Sequence, residues 1–246
     1  MTKKQVKQRK QDRHRDRMAA KRKKQQMRFL MAATIIVLLI IAGGLALYFN
    51  HHNNKSADQT FDYKNEPMLG EASAPVKIVE FGDFKCPVCR QFDQTIFPKI
   101  REDFVKTGKV SYYFFNFPII DGSMPAELAA ESVFHHHPKS YWKFHEALYA
   151  NQGDEKKDWA TPNFLVKIAK QTVPNLDPQK LKKEIQQQTY QDAVYADKRA
   201  GIKAGVNGTP TLFINGKMID FQTEFDYAKL KKVIDSAYQK AVKKHG

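Results

Sequence analysis

Two cysteines, Cys86 and Cys89, are the only ones in this 246-residue chain, and they stand three positions apart in the run VEFGDFKCPVCRQF. That separation is too short to staple distant parts of a fold together. A disulfide framework needs several spaced cysteines, and a structural zinc site needs two further Cys or His ligands at a matching spacing; no second CxxC is present. The chemistry this leaves in front is thiol-disulfide exchange, with a local disulfide or half a metal site as the bland alternatives. If a helix starts at the pair, Cys86 lies at its exposed N-terminus, where unpaired N–H groups and the helix dipole lower a thiol pKa and favour thiolate. Cys89 then lies one turn inside and more buried. That asymmetry makes Cys86 the attacking sulfur and Cys89 the resolving one.

The elements that must hold the pair in this way are legible around it. Val76 to Phe81 read as a buried strand leading directly to the cysteines. Pro87 suits the first turn of a following helix, and Phe92, Ile96, Phe97, Ile100 and Phe104 recur at roughly helical spacing, with Pro98 expected to kink the run. Lys109 to Phe117 is β-branched and aromatic and stops at Pro118, so a second core strand is expected, its aromatics Tyr112 to Phe117 serving as packing. Thr161-Pro162 and Asp177-Pro178 are cap-plus-proline starts for helices in the middle of the chain. Thr211 to Ile214 and Lys217 to Asp220 flank Asn215-Gly216, a hairpin signal. The last helix carries Leu230, Val233, Ile234, Ala237 and Tyr238 on one face. Strand, helix, strand, helical block, hairpin and helix is the order of an α/β thioredoxin-like domain with a helical insertion at about 119–204.

On Cys86-Pro87-Val88-Cys89, and on the segment from Gly205 through Val206-Asn207-Gly208-Thr209-Pro210 to Gly216, the chain resembles the DsbA-like branch of the thioredoxin superfamily, in particular membrane-anchored BdbD-type proteins of Gram-positive bacteria. The resemblance covers about Pro75 to Tyr238. It implies a redox-active Cys86–Cys89 disulfide as the whole of the cofactor, with no metal. It implies a cis peptide bond at Pro210 beside the cysteines, and an extended substrate strand held by the backbone of Thr209 and bordered by Pro87 and Val88. It also implies that Glu80, six residues before Cys86, is a buried acid exchanging a proton with Cys89, burial raising its pKa. Strand alternation puts Glu80 on the face opposite Val79 and Phe81; a solvent-facing position is the alternative. Two departures bear on redox direction. The strongest oxidant of the family has histidine where Val88 stands, and Thr209 is shared with isomerase and reductase relatives.

Other polar groups carry weaker signals. His135, His136 and His137 are consecutive, so on a helix they point about 100° apart and cannot easily share a metal; a helix-end or solvent role is expected. His145 and Glu146 read as surface positions of an amphipathic helix. No phosphate-binding glycine loop, GxGxxG, HExxH or EF-hand pattern occurs.

The net charge of +15 is concentrated at the start, where residues 1–28 hold thirteen Lys and Arg against Asp12 and Asp16, leaving about +4 for the remainder. Residues 29–49, FLMAATIIVLLIIAGGLALYF, carry no charge and are about long enough to cross a hydrocarbon core of roughly 30 Å. The expected organisation is a basic cytoplasmic tail (1–28), a single-pass anchor (29–49), a polar tether (50–60) and one catalytic domain (61–246) outside the cytoplasm. A cleaved signal peptide is the competing reading, and nucleic acid is not an expected partner. The functional expectation is an enzyme that introduces disulfides into exported proteins with cysteines and is reoxidised by a membrane quinone-linked partner, as the resemblance implies. The rivals are an envelope reductase or isomerase, and a non-catalytic binding or assembly factor on the same fold.

Overall fold

The computed structural model describes residues 61–220 and 224–245, with three isolated positions at 41, 43 and 44. The chain divides into two units, Met1–Lys55 and Ser56–Gly246. The anchor and tether read from the sequence lie almost wholly outside the described residues. Among those, no helix is long and apolar enough to cross a membrane.

The folded unit is built on a five-stranded sheet: β1 (Met68–Leu69), β2 (Val76–Gly82), β3 (Val110–Asn116), β4 (Thr211–Ile214) and β5 (Lys217–Met218), in the order β1-β3-β2-β4-β5. β2 and β3 run parallel in register from Val76↔Val110 to Gly82↔Asn116, while β4 pairs antiparallel with β2. Both faces of β2 are covered, which is why its sequence is an almost unbroken apolar run rather than an alternation. Val76 and Ile78 join Tyr112, Leu212, Leu230 and Ile234 on one side. Val79 and Phe81 join Phe61, Phe115 and Phe213 on the other. Phe61 packs against three of those rings at centroid distances of 5.2 to 5.4 Å, so the ordered fold begins there. The hairpin turn takes positive φ at Asn215 (48°) and Gly216 (74°), as two-residue loops of this composition do.

The connection from β2 to β3 contains α1 (Pro87–Thr95), α2 (Phe97–Ile100) and a π-helical turn (Arg101–Val105). The expected single helix is interrupted at Ile96, and Pro98 lies in the first turn of the second piece, where its missing N–H is harmless. Between β3 and β4 come five helices: α3 (Met124–His136), α4 (Tyr141–Ala150), α5 (Pro162–Thr172), α6 (Pro178–Gln186) and α7 (Gln191–Ala204). Thr161 caps α5 by accepting from Phe164 N, and Asp177 caps α6 by accepting from Gln179 N and Lys180 N. α3 buries every residue from Ala126 to Val133, so it is a core helix with no polar face. α8 (Tyr227–His245) packs Leu230 and Ile234 against the sheet.

One surface assignment is corrected. His145 is buried at 1 % exposure, and its ring is packed among Phe84, Phe97, Phe114, Tyr141, Trp142 and Tyr149. The apolar stripe of α4 runs through 141, 144, 145, 148 and 149, so helical periodicity puts this histidine inside despite its polar type. Glu146 remains partly exposed and pairs with Arg101. His135 and His136 occupy the last turn of α3 and His137 caps it. His136 Nε2 lies 3.0 Å from Glu184 of α6.

Candidate functional site

The strand-to-helix junction puts Cys86 at the N-cap of α1, with extended backbone (φ −73°, ψ 119°) and Pro87 at the first helical position. Cys86 is 5 % exposed and Cys89 fully buried; both are free thiols. The two sulfurs therefore differ in access, as the geometry of a first helical turn requires. Pro87 and Val88 are half-buried at the rim.

Across from the pair, α7 stops at Gly205 (φ 92°), and the chain passes through Val206 to the cis Thr209–Pro210 peptide. The Cys86 thiol lies 3.5 Å from the Thr209 carbonyl oxygen and donates to it. Thr209 is half-buried and Pro210 buried.

The junction is held by side chains from the helical insertion. Gln152 Nε2 donates to the carbonyls of Phe84 (2.8 Å) and Cys86 (3.0 Å), and Glu127 accepts from Phe84 N (3.0 Å). Asp83 accepts from Lys85 N at 2.7 Å, from Ile119 N and Ile120 N at 2.8 Å each, and from the Ser123 hydroxyl. Asp83 thereby ties the start of the CxxC turn to the loop that leaves β3. Gly82 is required beneath it, since a Cβ there would meet Phe114 Cε2 at 2.4 Å.

The electrostatics separate the two sulfurs. A hydrogen bond from Cys89 is the largest influence on Cys86 and, with Thr209 and the N–H groups of Cys89 and Val88, brings its thiol down to about 6 against the opposing effect of burial. Burial, first of all, pushes Cys89 well above the ordinary thiol range, and Cys86 and Glu80 push the same way. Glu80 is 1 % exposed and accepts a short hydrogen bond from the Tyr112 hydroxyl at Oε2, while Oε1 has no hydrogen-bond partner. Burial raises its carboxyl to about 8; the Tyr112 bond opposes this, and Asp93, Glu224 and Cys86 add to it. The site thus holds a stabilised thiolate, a buried thiol and a buried acid titrating near neutrality.

The structure brings Cys86, Cys89, Thr209 and Pro210 together around one sulfur and puts Glu80 in electrostatic reach of Cys89. Sequence reasoning missed Asp83, Glu127 and Gln152. Asp83 had a signal, a carboxylate inside an apolar strand-to-cysteine run. Gln152 and Glu127 had none, because their role depends on where the insertion folds back.

A thioredoxin family model matches residues 62–236. The chain is 39 % identical over 173 residues to disulfide bond formation protein D of Bacillus subtilis, covering 70 % of this chain and 77 % of that protein. It is 35 % identical over 185 residues to a probable disulfide bond formation protein D of Bacillus cereus, covering 74 % and 83 %. Among solved structures, Bacillus subtilis BdbD in its oxidised form superposes with a TM-score of 0.69 at 38 % identity, over 72 % of this chain and 95 % of that one. Chlamydia trachomatis DsbA gives 0.65 at 27 % identity, over 72 % and 93 %.

Proposed function

The chain belongs to the thioredoxin family, as a protein-disulfide oxidoreductase of the DsbA and BdbD type, and from that premise we propose that it acts as a dithiol oxidase on exported proteins. The observation that carries the reading is the unequal cysteine pair: a low-pKa Cys86 at the N-cap of α1 beside a fully buried Cys89 whose thiol is pushed up.

In the oxidised enzyme a substrate thiolate attacks Cys86 Sγ, the Cys86–Cys89 bond breaks, and Cys89 leaves as a thiolate that takes a proton from Glu80. The substrate's second thiolate then attacks its own sulfur in the mixed disulfide, closing the substrate disulfide and expelling the Cys86 thiolate. A thiol near 6 is a good leaving group, so this step favours substrate oxidation. To be reoxidised, the Cys86 thiolate attacks a disulfide of the membrane quinone-linked partner, and Cys89, deprotonated by Glu80, resolves that mixed disulfide. Thr209 presents its backbone to the substrate strand, with Pro87, Val88 and Pro210 forming the walls of the groove. We place the enzyme outside the cytoplasm on the uncharged 29–49 anchor behind its basic flank.

Equilibration of the full chain with glutathione buffers tests the direction. A potential well above the roughly −270 mV of thioredoxin is expected; a value at or below it would make the protein a reductase.

A further inference from the structure

Glu80 presents a logistic difficulty: it is 1 % exposed, yet each catalytic cycle requires it to gain and lose a proton. Its Oε2 is occupied by the Tyr112 hydroxyl, and its free atom, Oε1, faces the interior. The groups whose charge reaches it are Cys86 on α1, Tyr112 on β3, Glu224 ahead of α8, and Asp93 on α1. Glu224 is engaged by Leu212 N at 2.8 Å. Asp93 is different. It is 6 % exposed, its Oδ1 has no hydrogen-bond partner, and it lies 3.5 Å from Nδ1 of His145 on α4. Both ring nitrogens of His145 are likewise without a hydrogen-bond partner inside an otherwise aromatic shell. On its other side Asp93 feels the charges of Glu146 and Arg101, an ion pair that reaches the surface at 40 % and 30 % side-chain exposure.

We propose that Asp93, paired with His145, is the relay through which the buried Glu80 exchanges its proton with solvent. This deepens the oxidase reading and rests on it. When Cys89 leaves as a thiolate, the Glu80 carboxyl gives it a proton; the resulting carboxylate regains one from Asp93, and Asp93 is refilled from the Arg101–Glu146 side. During reoxidation the flow reverses: the Cys89 thiol gives its proton to Glu80, and Asp93 carries it outward. One proton moves per thiol made or consumed, with no change in the oxidation state of either carboxyl. His145 is a positioning residue: a neutral imidazole can accept from Asp93 on one nitrogen, and it keeps the carboxyl aimed inward. Burial suits the pair to this task, holding Asp93 at about 8 and His145 near 3, so that both are uncharged at neutral pH and a proton passes without creating a buried ion.

The test separates the two exchange steps in the full chain, using oxidised glutathione as the disulfide oxidant. The reduced protein is mixed with it and quenched with acid, and the glutathionylated and closed forms are counted by mass spectrometry between pH 5.5 and 9. Attack by Cys86 forms the first species; attack by Cys89 converts it to the second and releases glutathione. Asp93→Asn should leave the first step and its pH profile unchanged and slow the second by roughly 10- to 100-fold at pH 7, up to the lower end of what a positioned proton-transfer group contributes. Asp93→Glu should recover most of the lost rate, and the solvent deuterium effect on the second step should grow in Asp93→Asn. Equal rates and profiles for both steps in Asp93→Asn would overturn the relay. So would equal slowing of both steps without recovery in Asp93→Glu, which is the mark of a structural role. If the parent protein itself never closes its disulfide, the oxidase reading fails instead. Should Asp93→Asn not fold, redox infrared difference spectra of the parent with isotope-labelled aspartate decide the matter: an aspartate carboxyl band that moves with oxidation and is lost in Asp93→Glu supports the relay, and a glutamate-only response overturns it.

Discussion

Replacing Cys86 by serine turns the electrostatics of the site into a stability measurement. The reduced protein holds the Cys86 thiol at about 6 against an ordinary value of 9.0, so between those pH values the unfolded chain binds one proton that the folded chain does not. A depressed pKa stabilises the fold fully above the unfolded value, and this contribution is lost as pH falls through the folded one. Three units correspond to about 4 kcal/mol, gained at about 1.4 kcal/mol per pH unit between pH 6 and 9. At pH 7 only the first unit is realised, about 1.4 kcal/mol, which raises a two-electron couple by about 30 mV. The assay is urea unfolding of parent and Cys86→Ser at a series of pH values with a phosphine reductant present. Subtracting the two curves removes the other carboxyls, which are common to both proteins. The difference should be flat below pH 6, rise to pH 9 and level off. A difference that does not change with pH would mean that the thiol titrates alike in the folded and unfolded chain, and the argument from helix end and leaving group would fall with it.

Glu80→Gln should increase stability progressively as pH rises from about 4.5 to 8, because the parent carboxyl is held protonated to about 8 and loses stability across that window; chemical denaturation at pH 5 and 8 measures the difference. The same variant should slow closure of the Cys86–Cys89 bond, by roughly 10²-fold or more, in a quenched single-turnover assay. Gln152→Ala leaves the carbonyls of Phe84 and Cys86 without their donor and should destabilise the protein by about 1–3 kcal/mol, read as a lowered denaturation midpoint at unchanged slope. Gly82→Ala drives a methyl into the Phe114 ring and should cost about 1–3 kcal/mol, read in the same way. A fragment starting at Phe61 should be soluble, monomeric and redox-active, since its aromatic cluster closes the core at that residue; recovery of activity only when residues 29–49 are restored would contradict this.

Much of the positioning frame was legible because it follows from patterns the chain states locally. The apolar run of β2, the proline at the start of α1, the caps at Thr161 and Asp177 and the Asn215-Gly216 turn each specify their element within a few residues. β1 escaped because two residues give no period; it exists through pairing with β3 and through the Trp142 indole donating to Met68 O. His145 was misread because residue type was weighed above periodicity, although the stripe of α4 includes it. The cradle of Asp83, Glu127 and Gln152 joins residues up to 68 positions apart, and no local pattern encodes such a contact. Burial of acids was the hardest feature to read. Glu127 and Glu131 look like a solvated helix face, yet α3 is enclosed on all sides and burial pushes Glu131 up to about 8.

The central claim is that Cys86 meets the substrate and Cys89 does not, and trapping tests it most directly. Cells carrying Cys89→Ala or Cys86→Ala are quenched with acid and alkylated, then run on non-reducing gels probed for the protein. Cys89, fully buried one turn inside α1, is the fast internal exit from any mixed disulfide on Cys86, so removing it should leave reducible high-mass adducts in Cys89→Ala and few or none in Cys86→Ala. Equal trapping by the two variants, or none by either under oxidising conditions, would contradict the account.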